Sequence, residues 1–100
     1  MFDSSTSDGP PEEKTFRGFR PPRKVWVDLS QLFPVGPPRA DIPEGLDLQA
    51  EVRGELSMWK VSTTGYWFGW VQFMINEGRG GAKAGQWVPG YALRPRDESL

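Results

Sequence analysis

The chain has no cysteine and no histidine. Without thiols, neither a disulfide nor a thiolate metal site can staple a small core. Without imidazole, the commonest general base and the commonest metal ligand are both missing. The familiar catalytic triads and zinc sites are therefore excluded. Carboxylates and lysines remain, but nothing in their spacing arranges them for chemistry. Asp41, Glu44 and Asp47, for example, lack the glycine and ligand pattern of an EF-hand loop and read as a solvated face. The expectation is a protein that is not an enzyme and holds neither metal nor cofactor.

Long apolar runs are also missing, and the longest is too short and interrupted to span a bilayer. The opening "MFDSSTSDGPPEEK" carries neither the basic nor the apolar region of a signal peptide. A cytoplasmic protein with no membrane association is the default expectation. Charge of either sign is not in excess: 12 basic residues face 13 acidic ones, for a net charge of −1. No global field draws such a chain onto nucleic acid or anionic lipid.

Turn-forming residues, by contrast, are abundant, with 10 Pro and 12 Gly in 100 residues. That content argues for many turns, few helices and one small domain. Residues 1–15 read as a disordered acidic tail, 16–95 as a single β domain, and 96–100 as a second disordered tail. Within the domain, "KTFRGFRPPRK" (Lys14 to Lys24) is basic without a single carboxylate, and "KVWVDL" (Lys24 to Leu29) has the content of a strand. The connection "FPVGPPRADIPEG" (Phe33 to Gly45) contains four Pro, which forbid a helix or a central strand.

From Leu48 the sequence alternates. Leu48, Ala50, Val52, Leu56 and Met58 fall on one face; Gln49, Glu51, Arg53, Glu55 and Ser57 fall on the other. The pattern then changes, because Trp59 and Val61 occupy the face that had been polar. A second strand runs from Tyr66 to Asn76, with Trp67, Val71, Phe73 and Ile75 on one side and Tyr66, Phe68, Trp70, Gln72 and Met74 on the other. A tight loop at "STTG" sets Met58 opposite Val71, Leu56 opposite Phe73 and Trp59 opposite Trp70. This register superimposes the two apolar faces, whereas a three-residue loop sets Met58 against Trp70 and Leu56 against Gln72. One face is then core, and the other gathers Trp59, Val61, Tyr66, Phe68 and Trp70 at the end near the turn. "NEGRGGAKAG" (Asn76 to Gly85) reads as a mobile glycine-rich loop.

The segment Gly85-Gln86-Trp87-Val88-Pro89-Gly90-Tyr91-Ala92-Leu93 resembles the ending of SH3-like small barrels. There, an apolar residue followed by Pro ends one strand, a short 3₁₀ turn follows, and an apolar residue opens the last strand. Val88-Pro89 and Leu93 match, whereas Tyr91 stands one place early and Ala92 takes the position of the usual tyrosine. The resemblance implies an all-β fold, either an SH3-like barrel or a curled antiparallel sheet. It does not carry over recognition of Pro-rich peptides, and folds of this shape serve many tasks.

Two surfaces stand out as candidates. Trp59, Tyr66, Phe68 and Trp70, with Trp87 and Tyr91, form an aromatic set suited to a protein partner or a second copy. A cage for a quaternary ammonium group is a further use of such rings. The same aromatics are instead core if residues 16–33, with Phe16, Phe19, Trp26, Leu29, Leu32 and Phe33, fold over them. The alternative surface is basic: Arg17, Arg20, Arg23 and Lys24 with Arg79 and Lys83, suited to nucleic acid whose bases stack on aromatics. "RGG" occurs once, and the loop lacks the Gly-Lys-Ser/Thr of a phosphate-binding P-loop.

Overall fold

The computed structural model describes residues 15–97; of the two expected tails, all but Thr15, Arg96 and Asp97 lies outside that range. Five antiparallel strands build one curled sheet that forms a half-barrel. They are β1 (Phe16–Asp28), β2 (Glu51–Val61), β3 (Trp67–Glu77), β4 (Gly80–Pro89) and β5 (Leu93–Pro95), in the spatial order β4-β3-β2-β1-β5. A single helical turn, α1 (Leu29–Leu32), follows β1, and a 3₁₀ turn (Gly90–Ala92) joins β4 to β5. Val27 of β1 pairs with Val52 on one side and with Leu93 on the other, so β1 ties the last strand to the meander.

The inner face follows from the period of two. Val25 and Val27, Val52 and Leu56, and Val71, Phe73 and Ile75 are buried, and Val88 and Leu93 complete the lining. The open side is covered by Leu29 with Leu32, Phe33, Leu48 and Ala50, all packed against that core. Asp28 starts the helical turn by accepting from the Ser30 amide at 3.1 Å, as an N-cap residue should. Pro21 and Pro22 cannot donate to a ladder. β1 accordingly bulges away from β2 between Gly18 and Arg23.

The hairpin register differs from the expected one. Met58 pairs with Trp70 and Trp59 with Gly69, while Leu56 pairs with Val71. The turn is a three-residue loop: the Tyr66 carbonyl accepts from the Ser62 amide at 2.7 Å, and Gly65 sits at φ +92°. Such loops need a residue in the left-handed region, which glycine supplies. A one-residue bulge at Ser57 then restores the match of faces farther along. The change of pattern at Trp59 is that bulge. Trp59 and Val61 therefore stay on the inner face, and Met58, expected in the core, turns outward.

The glycine-rich stretch is also not a loop. β3 and β4 pair without interruption from Phe68 with Pro89 to Glu77 with Gly80, and only Gly78 and Arg79 turn. Gly78 at φ +57° supplies the positive φ that a two-residue hairpin turn requires at its first central position. Glycine content alone hid a strand whose pairing partner is a strongly apolar neighbour. The proline-rich connection is anchored where Leu46 bridges Glu77 and the Asp47 amide donates to the Asn76 carbonyl at 2.8 Å.

Gly69 shows how tightly the hairpin packs on Trp59. A Cβ there would lie 2.5 Å from Leu56 Cδ1 and 3.2 Å from Leu93 Cδ1. Gly69→Ala is expected to lose about 1–3 kcal/mol through overpacking, read as a shift of the urea midpoint at unchanged slope.

Candidate functional site

The outer face of the sheet divides into two ends. Near the β2–β3 turn, neighbouring strands place Gly18, Met58, Trp70 and Trp87 in one row and Phe16, Lys60, Phe68 and Pro89 in the next. Trp70 and Trp87 meet edge to face with ring centroids 5.4 Å apart and planes at 72°, a favoured aromatic geometry. Trp87 keeps 41% of its surface exposed and Phe16 is likewise exposed. Lys60 Nζ stands 5.9 Å from the Phe16 ring centre. Gly85 borders the Trp70 ring, with the site of a Cβ only 3.4 Å from Trp70 Cζ2. Residues 16–33 do not fold over this surface: they run alongside β2 as β1 and then turn inward at Leu29.

Past the edge of the sheet, Tyr66, Trp67, Phe68, Pro89 and Tyr91 line a cleft of about 610 Å³ between the hairpin loop and the 3₁₀ turn. Tyr66 and Tyr91 are 68% and 73% exposed. Of the six aromatics expected at the surface, five lie here. The sixth, Trp59, is 1% exposed and belongs to the core. Its inward turn follows from the Ser57 bulge, and it has no surface to offer a partner.

The other end of the outer face is polar. Trp26 pairs with Arg53 and with Arg94, and both Arg94 and Arg96 lie over its ring, at 5.5 Å and 5.8 Å. Arg94 donates twice to Glu51, at 2.7 Å each. This hydrogen-bonded carboxylate holds the guanidinium above its ordinary pKa. Next to them, a depression of about 790 Å³ is lined by Arg53, Glu55, Met74, Lys83 and Arg96 among others.

The basic residues expected to act together are not gathered. Arg17 stands opposite Trp59 at the start of β1, and Arg17 and Arg23 lie over the Phe19 ring. Arg20 is exposed on the bulge, and Lys24 pairs with Glu55 in the register. Arg79 turns the β3–β4 hairpin, and Lys83 pairs with Met74. At ~4.8 Å per strand and ~3.3 Å per residue, Lys83 and Arg17 lie roughly 20 Å apart across the sheet. Met58, Phe16 and Pro89 also belong to the aromatic surface, and Arg53, Arg94 and Arg96 to the basic end, beyond the residues expected from the sequence. Arg53 was legible as exposed from its alternation with valine. Its nearness to Lys83 is not legible, because the glycine content around Lys83 predicts a loop.

Among the described residues no group of three or more acidic side chains is placed to hold a metal ion, and no helix is long and apolar enough to cross a membrane. No protein-family model matches the chain, and comparison with curated proteins and with solved structures finds no match.

Proposed function

We propose that this chain is a small, SH3-like, non-catalytic binding module of the cytoplasm, and that it contacts a protein partner or a second copy through the aromatic end of its outer face. The observation that carries this reading is the pairing of Trp70 with Trp87 on the side of the sheet opposite a complete core. Large rings on a soluble surface bury much area at little entropic cost when a partner covers them. Contiguous exposed apolar surface on a small protein marks such sites. Phe68, Tyr66 and Tyr91 extend the surface into the neighbouring cleft. The absence of histidine and cysteine from the chain agrees with a role in binding rather than chemistry.

The competing reading, nucleic-acid binding through the basic residues, predicts a different salt response. Phosphate contacts release counterions and weaken steeply with salt, whereas apolar burial does not. The immobilised full chain, challenged with cell extract at low and at high salt with and without nuclease, is expected to retain a protein that resists both treatments. Binding that disappears with nuclease or with salt would favour the nucleic-acid reading instead.

A further inference from the structure

Resting on that reading, we propose that the partner is an extended acidic segment that carries an apolar anchor residue, laid along the outer face from the aromatic end to the basic corner. Three cations (Arg53, Lys83 and Arg96) line the depression with one carboxylate, Glu55. Lys24 stands beside that carboxylate in the register, and Glu51 is occupied by its bidentate pair with Arg94. Arg96 donates to the Val25 and Gly54 carbonyls and is followed by Asp97, so the exposed Arg53 and Lys83 are the cations this corner turns outward, and they make it locally positive although the chain as a whole is not. It lies on the same face as the two tryptophans, along the same strands. Trp70 and Met74 are four residues apart on β3, which at ~3.3 Å per residue is about 13 Å.

An extended ligand covers that span with about four residues. Its apolar side chain would settle between Trp87 and Phe68, and its carboxylates would reach Arg53 and Lys83. The chemistry at each end is ordinary: ring burial supplies the affinity, and complementary charge supplies register and the choice of partner. A polyphosphate chain fits less well. Glu55 stands between the basic corner and the aromatics, where successive phosphates would have to pass.

The test is selection of a random peptide library, displayed on phage, against the immobilised full chain. A parallel selection uses an Arg53→Glu, Lys83→Glu double variant, with both proteins checked by thermal melting. Enriched peptides are expected to place Asp or Glu within a few residues of a large apolar side chain. The charge-reversed variant is expected to lose that acidic bias, or to replace it with Lys or Arg, at an unchanged melting temperature. Fluorescence anisotropy of an enriched peptide should show affinity lower by about tenfold on the variant. The proposal is overturned if enriched peptides show no acidic bias, if the bias persists on the reversed surface, or if nothing is enriched. A poly-dT oligonucleotide that binds more tightly than any selected peptide would overturn it in favour of nucleic acid. If apolar peptides are selected without an acidic bias and still depend on Trp70, the preceding reading stands and only this inference fails.

Discussion

Trp59→Ala is expected to unfold the domain over much of the temperature range in which the parent is folded. The indole is 1% exposed. It packs beneath Gly69 and beside Gly90, whose substituted Cβ would come within 3.5 Å and 3.6 Å of its ring. Truncating a buried Trp to Ala removes the burial of a large ring and leaves a cavity, at about 3–5 kcal/mol. The total stability of a domain of this size is only about 5–15 kcal/mol. A loss of that size corresponds to a fall of about 20 °C in melting temperature for a domain of under 100 residues. Circular dichroism melts of the variant and the parent measure it. A fall of less than about 5 °C would return Trp59 to the surface and undo the assigned register.

Trp70→Ala should give the opposite pair of results. This indole is half-buried on the outer face, and its clearest neighbour is Trp87. Its removal forfeits an edge-to-face pair, about 0.5–1.5 kcal/mol beyond the area the half-buried ring covers, and gives a melting shift well below that of Trp59→Ala. Affinity for a captured partner should fall far more, by at least about 30-fold, because central aromatic anchors are worth 2 kcal/mol or more at interfaces. Titration calorimetry of both proteins against that partner reads the loss. A variant that binds as the parent does would remove the tryptophan from the contact surface. A variant that no longer folds would make the outer aromatics structural.

The contrast between these two tryptophans also shows what the sequence makes legible. Alternation from Leu48 to Ile75 marks two strands with a shared apolar face, and the inner positions Val52, Leu56, Val71, Phe73 and Ile75 are found there. The all-β class followed from that alternation together with the proline and glycine content. Strict alternation places Trp59 on the outer side, but a one-residue bulge reverses the faces of everything beyond it. Nothing local to Ser57 announces a bulge. The signal lay in the pattern itself, since apolar residues at Leu56, Trp59 and Val61 break strict alternation once and then resume it. β4 was hidden for a different reason. Its small residues, Gly81, Ala82, Ala84 and Gly85, carry little strand propensity of their own. They are held in the sheet by pairing with Asn76, Ile75, Phe73 and Gln72 on β3. That tertiary support placed Trp87 beside Trp70 and Lys83 near Arg53, two neighbourhoods no short-range pattern could supply.

The aromatic end of the outer face is proposed as the place where this chain meets another protein. That proposal is tested most directly by site-specific photo-crosslinking, with p-benzoylphenylalanine placed at Trp87 and, as a control, at the exposed Arg39 in the proline-rich connection. After irradiation in cell extract, position 87 is predicted to yield a discrete protein adduct that forms at high salt and survives nuclease, whether the adduct is a different protein or a second copy. Position 39 is predicted to yield none. Equal labelling from both positions, or an adduct at 87 that nuclease removes, would contradict the assignment.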